Sequence, residues 1–323
     1  MYIRKVSSYA PASIGNFAIG FDIMGLSITP YDNEKLGDVV EVLEYDVSMK
    51  VSNCLVVSGN YAKNLPELPN KNIVYHCLQA FNEILKKKNI EQKNIQLHLI
   101  KNLPIGSGLG SSASSVVASL SALNYFYNKL LSADELLILM GDMEEKISGS
   151  FHLDNVAPSF LGGLQLILSS GLSKRLEIFE SWLYVMAYSG EKINTFDARS
   201  VLPQNLPLKA HIEHTKNLSS FLVGLQDKNE NLVLDNIKDV IVEPNRRVLM
   251  PNLVYAREEL KKIGCLNTNI SGAGPTIFNI VKDIKTANTV KTWLEQNYIN
   301  KNNGFVKICK LNSGGAVYTD SNF

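Results

Sequence analysis

A chain of 323 residues is too long for one typical core and suits two domains. With 45% hydrophobic and 20% charged residues it has the composition of a soluble globular protein. A net charge of +1, from 32 Lys+Arg against 31 Asp+Glu, argues against a general binder of nucleic acid or acidic membranes. The first residues lack the apolar run of a secretory signal, and no stretch approaches transmembrane length. Cys54, Cys77, Cys265 and Cys309 are scattered singly, with no zinc or redox spacing. A cytoplasmic protein with reduced thiols is expected.

In residues 7–22 a strand leads into small residues and two glycines that form a close-fitting loop. Asn16 and Asp22 are polar points in this otherwise apolar segment; each alone reads as a turn-forming residue. Residues 26–29, 38–43 and 55–57 read as strands. Residues 70–85 read as a helix with Ile73, Val74, Cys77, Leu78, Phe81 and Leu85 on one side. Residues 95–100 alternate apolar and polar (Ile95, Leu97, Leu99) as a strand does.

The next segment carries the strongest chemical signal: Pro104, Ile105, Gly106, Ser107, Gly108, Leu109, Gly110, Ser111, Ser112, Ala113, Ser114. Val116, Val117, Leu120, Leu123 and Tyr127 follow at helical spacing, so the loop joins a strand to a helix N-terminus. Glycines turn tightly and leave no Cβ in the way of a ligand. The unpaired N–H groups and positive dipole end of the helix favour an anion, most often a phosphate. The hydroxyls of Ser111, Ser112 and Ser114 are candidates for phosphate or magnesium contacts. No Lys follows the last glycine, so this is not a Walker loop. A dinucleotide reading needs an acidic residue about 20 positions on, after a second strand, and a helix stands there instead.

Ser132-Ala-Asp-Glu135 is a capping box that opens a helix to about residue 147. Leu136, Leu139, Met140, Met143 and Ile147 define its buried face. Glu144 falls on the flank of that face, and Asp142 and Glu145 opposite. A carboxylate at a buried margin needs a partner: a cation held with the phosphate cargo, or a neighbouring Arg or Lys. Residues 149–163 place His152, Asp154 and Asn155 in a shaped loop among glycines and small residues. A strand follows at 163–168, and the pattern breaks at 169–174, dividing the chain into 1–168 and 169–323. Beyond it, 182–188 is a buried strand, and 195–202 holds Asp197 and Arg199. Helices are expected at 211–225, 232–242 and 253–263, with a basic turn at 243–247 carrying Arg246 and Arg247. A second glycine loop, 271–275, runs into a strand. A last helix, with Ala287, Val290, Trp293 and Leu294, precedes strands at 305–311 and 316–318.

Three motifs in this order are specific together: Ala10-Pro-Ala-Ser-Ile-Gly-Asn-Phe-Ala-Ile-Gly-Phe-Asp22, Pro104-Ile-Gly-Ser-Gly-Leu-Gly-Ser-Ser-Ala113 and Ser271-Gly-Ala-Gly-Pro-Thr-Ile-Phe278. The sequence resembles the GHMP kinase superfamily along nearly its whole length. Within it the chain looks like the bacterial homoserine kinases, through Leu36-Gly-Asp-Val-Val, Met140-Gly-Asp-Met-Glu, Ser148-Gly-Ser-Phe-His-Leu-Asp-Asn-Val-Ala-Pro and Val242-Glu-Pro-Asn-Arg. The resemblance implies a two-domain α+β GHMP kinase fold, with an N-terminal phosphate-loop domain and a C-terminal ferredoxin-like domain. It implies ATP with its phosphates on residues 104–114, Mg2+ held by Ser112 and Glu144, and support from Gly272 and Gly274. It implies L-homoserine facing Asn16, Asp22, His152, Arg199 and Arg246, with the γ-phosphoryl group passing to its hydroxyl. Arg246 is chosen over Arg247 by family register alone. Asn155 is expected to orient the hydroxyl; Asp154 aligns with an aspartate that serves mevalonate kinases as base and stays a candidate. A homodimer is common in the family. The rival readings are a mevalonate- or sugar-type kinase of the same superfamily and a nucleotide-binding regulator without catalysis.

Overall fold

The computed structural model describes residues 1–49, 51, 53–66 and 68–322. It opens with β1 (Tyr2–Pro11), β2 (Ser13–Gly15), β3 (Met24–Pro30), β4 (Gly37–Tyr45) and β5 (Leu55–Ser58). Next come α1 (Ile73–Lys87), β6 (Ile95–Ile100), α2 (Ser111–Phe126), α3 (Ala133–Ser148), a short α4 (Val156–Leu161) and β7 (Leu164–Ile167). Then follow β8 (Ser173–Leu176), β9 (Leu183–Tyr188), α5 (Thr195–Ser200), α6 (Leu208–Gln226), α7 (Glu230–Asn236), α8 (Val242–Arg246) and α9 (Leu253–Lys262). The chain closes with β10 (Asn267–Ile270), β11 (Ile277–Val281), α10 (Ile284–Asn297), β12 (Phe305–Leu311) and β13 (Val317–Asn322).

One sheet has the order β13-β1-β4-β6-β5, antiparallel except for the β5–β6 pair. The last strand thus returns to the first. Helix α2 lies against β1 and β4 and also packs on α1, α3 and α4. Every residue from Ala113 to Asn124 is buried. Serine and alanine make this position affordable: short side chains let neighbours approach, and the buried Ser119 hydroxyl satisfies itself on the Ser115 carbonyl at 2.7 Å. A helix buried on all sides shows little amphipathic contrast, which is why its sequence reads as mixed rather than striped.

In the second sheet, β10-β11-β9-β12 runs antiparallel throughout. In chain order this is β9, helices, β10, β11, α10, β12, so the spatial order is fourth, first, third, second. That is the ferredoxin-like βαββαβ arrangement. Strands β3, β7 and β8 extend it beyond β12, and β2 pairs with β3. The glycine-rich N-terminal segment is pinned by Phe17, fully buried and stacked on Phe278 at 5.4 Å, with Tyr184 and Phe221 also against it. Asn16, Phe17, Ala18 and Asp22 all take left-handed backbone conformations. Such strain persists where surrounding packing over-determines it, and it gathers at functional sites.

Some expectations need correction. The helix expected from residue 70 starts at Ile73, because Asn72 caps it by accepting from the Val74 N–H. The expected helix 232–242 ends at Asn236. The Asp239 carboxylate then accepts from the N–H groups of Ile241, Val242 and Glu243 and opens α8, so 243–247 is helical rather than a turn. The loop 149–163 contains α4. Ile147, expected in the buried face of α3, is 49% exposed and lines the cleft described next. Among the described residues, no helix is long and apolar enough to cross a membrane.

Candidate active site

Residues 104–110 leave β6 and turn into α2, and this turn walls a cleft of about 610 Å³ with Ser112, Glu144 and Asn155. A volume of that size is typical of small-molecule sites. The second glycine loop clamps the first. Ser271 Oγ donates to the Gly108 carbonyl at 2.6 Å, and the Thr276 N–H donates to the Ser107 carbonyl at 3.1 Å. Gly108 has φ +81°, and a Cβ there would lie 2.4 Å from the Ser271 carbonyl oxygen. Gly272 reaches further: its N–H donates to the Gly15 carbonyl, and its own carbonyl accepts from Asn16 and Arg246. Gly274 closes the turn by donating to the Ser271 carbonyl.

The phosphate-loop residues divide by where their side chains go. Ser107 Oγ is buried and has no hydrogen-bond partner among the described residues, and Ser107 lines the cleft. A buried hydroxyl left without a partner is costly unless a ligand supplies one. Ile105, Gly106 and Ser112 also line the cleft. Leu109 is buried in the core, and Pro104 and Ala113 are buried too. The Ser111 hydroxyl donates to the Leu103 carbonyl, and the Ser114 hydroxyl to the Ala10 carbonyl while accepting from the Asp38 N–H. These two hydroxyls hold the loop in place; Ser111 and Ser112 line the cleft and Ser114 does not.

Ser112 Oγ donates to Glu144 Oε2 at 2.9 Å. Burial pushes the Glu144 carboxyl up to about 7, against the lowering effect of Ser112 and Lys101. A carboxylate and a hydroxyl at a helix N-terminus are hard oxygen donors of the kind Mg2+ takes. Among the described residues no cluster of three or more His, Cys, Asp or Glu side chains could hold a metal.

Asn155 lines the cleft and is linked through Asp154 to Asn16. Its Oδ1 accepts from Ser13 Oγ at 2.8 Å, and its Nδ2 donates to Asp154 Oδ2 at 3.0 Å. The amide is thereby fixed in orientation, with one N–H left to donate. Asp154 is buried and also accepts from the Asn16 N–H at 3.2 Å. Burial, then the nearby Asp22 and Glu144 charges, push its carboxyl up to about 7.

Beyond Asn16, whose Oδ1 accepts from the Asp22 N–H, lies a charged cluster. Arg199 Nη2 donates to both carboxylate oxygens of Asp22, at 2.7 and 2.9 Å. His152 Nε2 lies 2.7 Å from the same nitrogen and 2.5 Å from Ser150 Oγ. Burial lowers the imidazole's pKa against the raising effect of the Asp22 carboxylate, and the Arg199 guanidinium lowers it further; a neutral ring accepts from Arg199. Arg199 Nε is buried without a partner among the described residues. Arg246 is 3% exposed and donates to the carbonyls of Ala198 and Gly272, and both guanidiniums lie over the Phe21 ring. Arg247 turns away to Glu243, which also holds Arg257. Of the two adjacent arginines, Arg246 faces the cluster.

Sequence reasoning assigned no role to Lys101, Asp38 or Ser13. Lys101 is a lone cation between an apolar strand and the glycine loop, and that oddity was the available signal. Ser13 offered none, because its partner lies 142 positions away.

The sequence matches the family model described as GHMP kinases N terminal domain over residues 72–163, and GHMP kinases C terminal over residues 221–300. The two matches together cover just over half of the chain. The chain belongs to the GHMP kinases. A solved homoserine kinase from Cytophaga hutchinsonii is similar at 28% identity, with a TM-score of 0.87 over 98% of this chain and 97% of that one. A provisionally named homoserine kinase from Listeria monocytogenes (21% identity, TM-score 0.69, 98% and 99% covered) shares the fold. So does the mevalonate kinase of Methanococcus jannaschii (16% identity, TM-score 0.61, 97% and 98% covered).

Proposed function

We propose that the protein is a cytoplasmic homoserine kinase, which transfers the γ-phosphoryl group of ATP to the side-chain hydroxyl of L-homoserine and releases O-phospho-L-homoserine and ADP. The observation that carries this reading is the Asp22–Arg199 pair, with an Arg199 Nε that has no partner among the described residues. An α-amino acid presents an ammonium and a carboxylate side by side, and this pair offers a carboxylate and a guanidinium side by side. The 28% identical homoserine kinase supports the same substrate.

Phosphoryl transfer asks for positioning and charge neutralisation more than for covalent participation by the protein. The loop N–H groups, the Ser107 hydroxyl and the α2 N-terminus would bind the triphosphate. Ser112 and Glu144 would hold Mg2+, which neutralises phosphate charge when bound. Asp22 takes the substrate ammonium, and Arg199 and Arg246 its carboxylate. Each charge-assisted hydrogen bond of this kind is worth roughly 1.5–3 kcal/mol, enough to reject a neutral alcohol. The remaining Asn155 N–H orients the substrate hydroxyl. As the new O–P bond forms and the bond to ADP breaks, the hydroxyl proton passes to a phosphate oxygen.

The test is a coupled ADP-release assay with MgATP, offering L-homoserine, L-threonine, L-serine, mevalonate and galactose. Turnover with L-homoserine far above the others is expected. Turnover with mevalonate or galactose alone would keep the kinase and remove the substrate. Nucleotide binding without turnover on any of them would make the protein a regulator.

A further inference from the structure

We infer that Lys192 is a further phosphate-binding residue of the nucleotide site, its ammonium contacting the polyphosphate directly. The inference rests on the kinase reading above and adds a residue that neither glycine loop supplies. Lys192 lies in the segment between β9 and α5, far in sequence from residues 104–110. Yet its side chain runs along the phosphate loop. A Cβ built on Gly106, where φ is +69°, would lie 2.6 Å from Lys192 Cγ and 3.1 Å from Lys192 Cε. The contact is held in register by the next residue, whose N–H (Ile193) donates to the Gly106 carbonyl at 3.0 Å. Gly106 therefore has a second reason to be glycine: any side chain there would lift the lysine off the loop.

Charge makes the same point. A triphosphate carries about four negative charges, and enzymes of this chemistry neutralise them with fixed cations as well as a metal ion. The cation nearest in sequence to the loop, Lys101, is not available. It is buried, paired with Asp38, and donates to the Ser111 carbonyl and to Ser115 Oγ. Arg199 and Arg246 belong to the amino-acid end. Lys71, Lys146 and Lys192 are exposed cations that line the cleft. Lys192 is set apart by the stem that runs along Gly106 and by the Ile193 N–H bond beside it, and it has no ion pair or side-chain hydrogen bond among the described residues. A lysine suits the task because a flexible four-carbon stem carries a compact charge that can follow a phosphate. If its stem merely covered apolar surface, the ammonium would be dispensable.

The experiment is calorimetric titration of the wild type, Lys192→Met and Lys192→Arg with a non-hydrolysable ATP analogue plus Mg2+, and with adenosine. Methionine keeps an unbranched stem on Gly106 and deletes only the charge. Expected are about 10- to 100-fold weaker analogue binding by Lys192→Met, adenosine binding within two-fold of wild type, and near-wild-type behaviour of Lys192→Arg. Analogue binding by Lys192→Met within two-fold of wild type would overturn the inference, as would an equal loss for adenosine, which would mark a structural role. A wild type that binds no analogue would instead remove the kinase reading and this inference with it. That failure is read on the unaltered protein and so is distinct from the others.

Discussion

Lys101, just after β6, and Asp38, near the start of β4, form an almost completely buried ion pair beneath the phosphate loop. Asp38 Oδ1 also accepts from the N–H groups of Asn102 and Leu103, and its Oδ2 from Ser115 Oγ at 2.6 Å. Lys101 ties in the first turn of α2 through the Ser111 carbonyl. The pair thus fixes both ends of the loop, where the chain leaves the sheet and where it enters the helix.

Removing one partner strands the other charge in the interior, which typically costs 3–5 kcal/mol. Lys101→Met should therefore lower stability by about 3–5 kcal/mol, read from urea or guanidinium unfolding. Adding Asp38→Asn to Lys101→Met removes the stranded charge and should recover a substantial part of the loss. A single-variant cost below about 1 kcal/mol would mean that the pair behaves as a surface salt bridge, against its burial.

Arg199 lies in the charged cluster with Asp22, and on the proposed reading its loss should be felt by one substrate only. Arg199→Lys keeps a positive charge near Asp22 but cannot present the same fork of donors. KM for L-homoserine should rise about 10- to 100-fold, with KM for MgATP within about two-fold. Steady-state kinetics with each substrate varied in turn makes the check. An equal rise in both KM values would assign Arg199 to the framework of the fold and remove it from substrate recognition.

Local pattern carried most of what the sequence revealed. The alternating sequence at 95–100 matches β6, although Gln96 is buried there too, and the Ser132 capping box is present with both of its hydrogen bonds. Glu144 lies on the flank of α3 where helical geometry puts it, half-buried and bonded to Ser112. What escaped was long-range. Ser114 looks like a phosphate ligand from its place in the loop, yet its hydroxyl joins Ala10 to Asp38. The break between α7 and α8 depends on one carboxylate, Asp239, folding back on three N–H groups, while the apolar periodicity runs on unbroken through it. Asp22 and Arg199 meet across 177 positions, and only the resemblance to a known family put them in one site.

Glu144 and Ser112 should show themselves through magnesium. Glu144→Gln keeps the size and a hydrogen-bonding partner for Ser112 but removes the ligating charge. The Mg2+ concentration for half-maximal activity should rise at least about ten-fold, and Ser112→Ala should give a smaller rise, because a neutral hydroxyl contributes less than a carboxylate. Titrating Mg2+ at fixed, saturating ATP measures both. An unchanged magnesium requirement in Glu144→Gln would remove this residue from the metal site.

Asp154 and Asn155 are adjacent, and they separate a base from a positioning group. Asn155→Ala deletes the N–H proposed to orient the substrate hydroxyl and should lower kcat about 100-fold or more. Asp154→Asn can still accept from the Asn16 N–H, and it should keep kcat within about ten-fold of wild type if the hydroxyl proton goes to phosphate. Near-total loss of turnover in a folded Asp154→Asn would make Asp154 the base. Stability supplies an independent reading of the same carboxyl. Burial raises its pKa to about 7 in the folded protein, from about 3.9 in the unfolded chain. Below pH 4 both states are protonated and Asp154 contributes nothing to the pH dependence. Between pH 4 and 7 the unfolded chain gives up the proton while the folded one retains it, so stability falls as pH rises and levels off above about 7. Asp154→Asn abolishes that contribution, so the stability of the variant relative to wild type should increase from pH 4 to 7, with about 4 kcal/mol as the ceiling. Parallel denaturation curves at pH 5, 6, 7 and 8 test it, and a difference that stays flat across that range would mean the carboxylate is solvated and ionised throughout.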